Sequence, residues 1–296
     1  MVLQDIFFHV AGIAFLTSAK TKSIFRGYSS PKPFGMSDIE KCIRYDINVV
    51  ENWLFHLRKY TNEADFLVGK DVLELGPGSD LGVGLYLLAQ GCSQYNACDV
   101  NDLMASTPDD FYEQFLAKIK STNSQAKIDF LRTQLQEVKV GNLSKFNYVL
   151  RDDFNIVAAF GKATIDLVFS QAAFEHFDDI NTTFSQLSTV CRSGAVLISQ
   201  VDLQTHSRWI RRQDPNNIYR YPSWFYNMFW FRGSPNRIRP YQYQEILERH
   251  GWTDVSIVAV ETTKDYNQAY SGMNNAFADN KNQMEYLSIM LCARKV

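Results

Sequence analysis

The chain has 296 residues, 46% hydrophobic and 21% charged, with a net charge of −2. That is ample for one large buried core, and the charge balance lacks the basic excess of a nucleic-acid binder. Five cysteines (Cys42, Cys92, Cys98, Cys191 and Cys292), an odd number with no C-x-x-C pair, argue against a disulfide frame or zinc site and read as reduced thiols of a cytoplasmic protein.

Ile6 to Leu16 is apolar and is followed by Lys20, Lys22 and Arg26. The stretch is too short to span a bilayer and lacks the basic start of a signal peptide. It reads as a short helix packed on the protein, with a membrane-surface or partner-docking helix as the alternative. Residues 21–36, rich in Gly, Ser and Pro, read as an irregular connection. Ser37-x-x-Glu40 has the form of a capping box. Ile39, Ile43, Ile47, Val50, Leu54 and Leu57 then predict a long amphipathic helix over about 38–60. Arg44 and Tyr45 on this helix read as a solvated face, with approach to a ligand as the alternative.

Val72, Leu73 and Leu75 around Glu74 read as a short buried strand. Gly76-Pro77-Gly78 is a glycine turn, and Leu81 to Gln90 reads as a buried helix. A strand that turns through glycines into a helix brings backbone N–H groups close to a ligand. Gln94 to Cys98 predicts a second strand, ending at Asp99, 21 residues after Gly78. Pro108 opens a helix carrying Phe111, Phe115 and Ile119, and Ile128, Leu131 and Leu135 mark another.

Phe146–Leu150 reads as the third strand, followed by Asp152 and Asp153, and Ile165–Ser170 as the fourth. Ile180, Phe184 and Leu187 predict a helix ending at Ser193-Gly194. Ala195–Val201 reads as the fifth strand. Residues 202–240 interleave seven arginines with nine aromatic residues, too aromatic for a plain linker. They read as a substrate cap in which rings stack on sugars or other rings and arginines hold phosphates or carboxylates. The alternative is a flap burying its own aromatics. A helix from Pro240 to His250, strands at 255–260 and 285–293, and a polar loop or lid over 262–284 complete the chain.

The glycine spacing separates two kinds of ligand. A dinucleotide fold asks for G-x-G-x-x-G, whereas here the third glycine falls one residue later, at Gly82. With Glu74 before the loop and Asp99 after the second strand, the arrangement resembles motif I of class I S-adenosylmethionine (SAM) methyltransferases. The resemblance covers about residues 40–295. It implies an α/β, Rossmann-like fold with a seven-stranded, mostly parallel sheet in the order 3-2-1-4-5-7-6 and helices on both faces. Residues 1–37 would be an extension, and 38–296 the methyltransferase domain with an inserted cap at about 202–240.

The resemblance also assigns roles. Glu74, Gly76, Pro77 and Gly78 would hold the methionine part of SAM, Asp99 and Val100 its ribose, and Asp152 or Asp153 the adenine amino group. Ser170 and Gln171 open a passage, through Glu175 and His176, that resembles the S-x-x-x-x-E-H stretch of the same superfamily. That stretch would lie where adenine, sulfonium and substrate converge. Asp202-Leu-x-x-His206 and Asn236-Arg-Ile-Arg239 look like a bacterial group of sugar and polysaccharide methyltransferases.

An oxygen acceptor needs a base. His206, just beyond the fifth strand, is the first candidate, and His176 with Glu175 the second. The alternative for each histidine is a hydrogen bond that fixes a loop. The [DNS]-P-P-[YF] signature of methyltransferases acting on base amino groups is absent, since Ser170-Gln171-Ala172-Ala173 stands there. The five histidines are scattered and show no metal motif, although a site assembled from Asp and His in space stays open. The expected activity is O-methylation of a sugar, nucleotide-sugar or glycan. The alternatives are a small aromatic or lipid-like acceptor, a catalytically silent SAM-fold binding protein, and a nicotinamide oxidoreductase.

Overall fold

The computed structural model describes residues 3–26, 38–102, 104–142 and 144–296. In chain order its helices are α1 (Leu3–Arg26), α2 (Ile39–Thr61), α3 (Gly82–Ala89), α4 (Asp109–Thr122), α5 (Ile128–Lys139), α6 (Ile156–Phe160), α7 (Ile180–Val190), α8 (Arg208–Gln213), α9 (Ser223–Asn227), α10 (Pro240–Arg249) and α11 (Tyr266–Tyr270). The strands are β1 (Asp71–Leu75), β2 (Gln94–Asp99), β3 (Phe146–Leu150), β4 (Ile165–Gln171), β5 (Cys191–Asp202), β6 (Trp252–Thr262) and β7 (Tyr286–Lys295). They form one sheet in the order β3-β2-β1-β4-β5-β7-β6, with β7 antiparallel to both of its neighbours. This is the order the glycine-loop resemblance implies.

Strand side chains alternate between two faces, and both faces are covered. Val72, Tyr95, Ala97, Leu167, Phe169, Val196, Ile198 and Met290 face one core with α2, α3, α4 and α5. Leu73, Leu75, Cys98, Val168, Leu197, Ile289 and Leu291 face the other with α7 and α10. The ring of Trp53 on α2 lies flat on Phe169 of β4, with centroids 4.7 Å apart. All five cysteines are buried.

Three features differ from the pattern read in the sequence. Helix α1 is longer than Ile6–Leu16 and runs through residues 21–26, where an irregular connection was expected; the rest of that connection, and Ser37 of the capping box, lie outside the described residues. Asp38 instead caps α2, accepting from the Lys41 N–H at 3.2 Å. Helix α7 ends at Val190 rather than at Ser193-Gly194. Cys191 already pairs with Ile165, and the next pair is Val196 with Leu167, so Ser193-Gly194 sits in a bulge of β5. Gly194, at φ +81°, supplies the left-handed turn that the bulge needs. Residues 262–284 form α11 and two short 3-10 turns with Phe277 and Asn282 buried, which makes them a packed segment instead of an open lid.

That packed segment, the 202–240 cap and α1 share a third core of Ile218, Tyr219, Tyr221, Tyr226, Phe277 and Met284, with Ile13 and Leu16 of α1 against it. Three arginines of the cap are consumed here. Arg239 donates to the carbonyls of Asn282, Gln283 and Tyr286 and to Tyr219 Oη. Arg237 donates to the carbonyls of Ile218 and Tyr221 and stacks on Tyr226. Arg220 pairs with Asp214 at 2.6 Å and Asp5 at 3.2 Å. These guanidiniums fold the cap and are not placed to hold a substrate anion, because a buried planar cation needs its donors filled, and backbone carbonyls fill those of Arg237 and Arg239 and carboxylates those of Arg220.

Candidate active site

Open parallel sheets bind ligands outside the carboxyl ends of their strands, where the strand order reverses. Here the reversal lies between β1 and β4, and a cavity of about 2540 Å³ opens there. Pockets for a single small ligand run to roughly 1,000 Å³, so this space accommodates a cofactor and an acceptor together.

The cofactor side comes from the ends of β1 and β2. Gly76 and Gly78 both have positive φ, +70° and +81°. A Cβ on Gly76 would meet the Ala173 Cβ at 2.8 Å, so backbone alone fits between β1 and the turn after β4. Gly82 is needed for another reason: a Cβ there would meet Asp46 Oδ2 of α2 at 2.4 Å. Glu74 is buried in the cavity wall and accepts from Tyr95 Oη at 2.5 Å. Asp99 Oδ1 accepts from the N–H groups of Val100 (2.6 Å) and Asn101 (3.0 Å). Burial raises the Asp99 pKa, while the N–H groups of Asn101, Val100 and Gly78 favour the anion and oppose that rise. The glycine loop and the acid are therefore one electrostatic unit. Pro77 and Val100 also line the cavity.

The two adjacent acids after β3 separate cleanly. Arg151 grips Asp153 with two bonds of 2.8 Å, and the Asn155 N–H adds a third. These contacts hold the Asp153 carboxyl at about 2. Asp152 lines the same cavity, and among the described residues no hydrogen bond engages its carboxylate. After β4 the outcome is also divided. Ser170 is fully buried, donates to the Leu75 carbonyl at 3.1 Å and does not line the cavity, so it braces β4 to β1. Gln171 does line it, and its buried Oε1 lacks a hydrogen-bond partner.

The acceptor side brings together residues that are scattered in sequence. The 3-10 turn Phe174–His176 and the loop after β5 place the rings of His176 and His206 4.6 Å apart, edge to face. His176 Nδ1 donates to the Gly233 carbonyl at 2.6 Å, which fixes its proton there and leaves Nε2 with the lone pair. Burial lowers the His176 pKa. Desolvation within the cavity, and next the His176 ring, lower that of His206, although its side chain stays open to the cavity space, which weakens the desolvation. Both imidazoles are thus neutral near pH 7. Glu175 is buried without a hydrogen-bond partner of good geometry. Burial, and secondarily the Asp202 charge, push its carboxyl well above the usual range. Asp202 pairs with Arg211 at 2.5 Å. Ligand-capable atoms of Glu175, His176 and His206 lie within 4.8 Å of one another, a donor set that a divalent cation could use.

Of the two α2 residues read as a solvated face, Arg44 is exposed as expected, whereas Tyr45 lies in the cavity wall, the alternative weighed for it. Arg232 of the cap lines the cavity too. Sequence reasoning missed Asp46, which the packing of α2 on α3 brings against Gly82, and Gln200, Gln204 and Phe154.

Residues 73–199 match the family model of a methyltransferase domain. This segment is a class I SAM-dependent methyltransferase domain. SAM is its cofactor, and the loop of Gly76 and Gly78 with Asp99 has the close backbone approach and the fixed acid that fit it. No curated protein matches the sequence. Among solved structures, the CurJ carbon methyltransferase is 14% identical with a TM-score of 0.48, covering 99% of this chain and 69% of that one. A SAM-dependent methyltransferase from Archaeoglobus fulgidus is 16% identical (TM-score 0.46; 94% and 99% covered). Phosphoethanolamine N-methyltransferase 2 from Haemonchus contortus is 13% identical (TM-score 0.45; 85% and 52% covered). None of these likenesses bears on what this chain methylates. No helix among the described residues is long and apolar enough to cross a membrane.

Proposed function

We propose that the chain transfers the methyl group of SAM to a hydroxyl of a small-molecule or glycan acceptor, with a sugar, nucleotide-sugar or glycan as the preferred class. The observation that carries this reading is the edge-to-face pair of His176 and His206 in the wall of the cavity that the glycine loop also lines. The sulfonium of SAM supplies an electrophilic methyl and a good leaving group. What the protein must add is alignment of the acceptor and removal of its proton. His206 is accessible from the cavity and, held neutral, takes that proton. His176, anchored on the Gly233 carbonyl, sets the edge-to-face position of the His206 ring. Glu74, Gly76, Gly78, Asp99 and Val100 hold the methionine and ribose parts, Asp152 and Gln171 the adenine side. In this reading residues 38–296 form the catalytic domain, and Phe15, Ser18 and Ala19 of α1 add to the wall of its cavity.

A second acceptor class, a small aromatic or lipid-like molecule, is favoured by Phe15, Phe154, Phe177 and Phe231 in the same wall. A second role for the cluster, cation binding, is favoured by the unpartnered Glu175 carboxyl. Calorimetric titration with SAM, S-adenosylhomocysteine and NAD comes first, followed by an acceptor screen that begins with nucleotide-sugars. Saturable binding of the SAM pair alone is expected, and Asp99→Ala should weaken it about 10- to 100-fold, the worth of hydrogen bonds to a charged group. Binding of NAD, or unchanged affinity in Asp99→Ala, would overturn the assignment.

A further inference from the structure

Helix α1 is clamped to the cap on one side only. Its Asp5 lies between Arg220 and Ser271, the Phe8 and His9 carbonyls accept from Asn217 and Tyr221, and Lys20 donates to the Met228 carbonyl. At Gly12 the approach is so close that a Cβ would meet Asn217 Oδ1 at 2.0 Å and Tyr221 Oη at 2.1 Å. Ile13 and Leu16 complete this docked face.

A surface helix held this way should show water a charged outer face. The outer face of α1 is apolar instead. Leu3, Phe7 and Val10 are 86%, 56% and 61% exposed, Ile6 is exposed between them, and Ile24 and Phe25 (81%) continue the stripe at the far end. Residues 3, 6, 7 and 10 follow the i, i+3, i+4, i+7 spacing of a single helix face. The only charged residues of α1 are Asp5, buried on the docked side, and Lys20, Lys22 and Arg26. At about 100° per residue, Lys20 and Lys22 flank Thr21 of the stripe on either side; the Lys20 ammonium spends one of its three donors on the Met228 carbonyl, and the Lys22 stem can lie along the apolar surface. Trp209, 52% exposed on α8, stands beside the stripe, stacked on Phe15 at 5.6 Å and 6.4 Å from Phe7. Phe15, Ala19 and Lys22 of the same helix line the mouth of the active-site cavity.

We propose that α1 docks the protein on an anionic bilayer surface, with the stripe of Leu3, Ile6, Phe7, Val10, Ile24 and Phe25 in the interface and Lys20 and Lys22 beside the headgroups. A protein partner is the weaker fit. The hydroxyls of Thr17 and Thr21 on this face donate back to carbonyls of the helix itself, so the stripe offers little to set a register, whereas an apolar face with basic flanks and an aromatic neighbour has the composition of an interfacial helix. The contact is peripheral, since the inner half of the helix is committed to the cap. Resting on the methyltransferase reading above, this places the cavity mouth at the lipid boundary and makes the acceptor an amphiphile presented by the membrane.

The test is co-sedimentation of the full chain with vesicles of phosphatidylcholine alone and of phosphatidylcholine with phosphatidylglycerol, at low and high salt. Binding is expected to the mixed vesicles, weakened by salt, and to drop about tenfold or more in Phe7→Glu/Phe25→Glu. Ile6→Gln/Val10→Gln is the milder second variant should the first fail to fold. SAM calorimetry on each protein separates the two readings. Variants that keep SAM affinity but lose vesicles support docking. Wild-type protein that binds SAM but neither vesicle overturns docking alone, and vesicle binding without SAM binding overturns the methyltransferase reading alone. Equal sedimentation of wild type and both variants overturns the role of the stripe. Light scattering adds one outcome: a dimer dispersed by Phe7→Glu/Phe25→Glu, with no vesicle binding, assigns the face to a second copy and overturns the proposal.

Discussion

Asp99 and His206 face one cavity and are held in opposite ways. Asp99 sits at the end of a central strand, and the N–H groups that steady it come from the next two residues and from the glycine loop beside it. His206 sits in a loop between β5 and α8, and its closest ring neighbour, His176, is 30 positions away in sequence. The cofactor side is thus built by short-range chemistry on a rigid sheet, and the acceptor side by the packing of one loop on another. Glu74, Asp99 and Asp153 on the first side are held by hydrogen bonds. On the second, Glu175 keeps both of its buried oxygens without partners. Low dielectric surroundings make such groups costly for folding and effective in chemistry.

The largest effect that tests this contrast is on turnover. His206→Ala should lower kcat about 10²- to 10⁴-fold, the usual worth of a positioned base, and leave the SAM affinity unchanged. Because the His206 pKa lies below the ordinary 6.5, the base stays neutral as pH falls past that value. The acid limb of kcat/KM is therefore expected below pH 6.5, and is expected to vanish in His206→Ala. Equal losses in SAM affinity and turnover would mean that the ring only supports the site, and the distinction between the two sides would fail at its centre.

Next comes stability. Arg239→Met keeps the stem of the side chain but strips the partners from three buried carbonyls and the Tyr219 hydroxyl. The expected cost is about 3–5 kcal/mol, read as a lower denaturation midpoint. SAM affinity measured below the transition should hold, because Arg239 touches the cap and not the glycine loop. A parallel loss of SAM affinity would show that the cap and the cofactor side fold as one unit.

How far each side could be read from sequence follows from the same physics. Strand alternation and the Glu74-to-Gly82 turn are local patterns, and the sheet order, β1 through β7, came out as the pattern implied. Ser193-Gly194 misled because glycine marks a helix end and a strand bulge alike, and only the pairing of Cys191 with Ile165 tells them apart. Three of the seven cap arginines misled for a different reason, while Arg211, Arg212 and Arg232 do line the cavity. A guanidinium that binds a phosphate and one that binds backbone carbonyls look identical in sequence, and burial of Arg220, Arg237 and Arg239 decides between them. Tyr45, Asp46 and the histidine pair depend on which helix or loop lies against which, information that no short window contains.

The smallest expected effect concerns two neighbours that the sequence could not separate, although Asp153 has the closer spacing to the next strand. Asp152 lines the cavity with its carboxylate unengaged among the described residues, whereas Asp153 is committed to Arg151 and the Asn155 N–H. Asp152→Asn should therefore weaken SAM several-fold, about 3- to 10-fold if one charged acceptor for the adenine amino group becomes neutral. Asp153→Asn should leave SAM affinity unchanged, since the ion pair it breaks is exposed and screened by solvent. The reverse pattern would mean that Arg151 releases Asp153 when the cofactor enters. The cofactor side would then share the rearrangement expected only of the acceptor side, and the static contrast between them would give way to one that ligand binding creates.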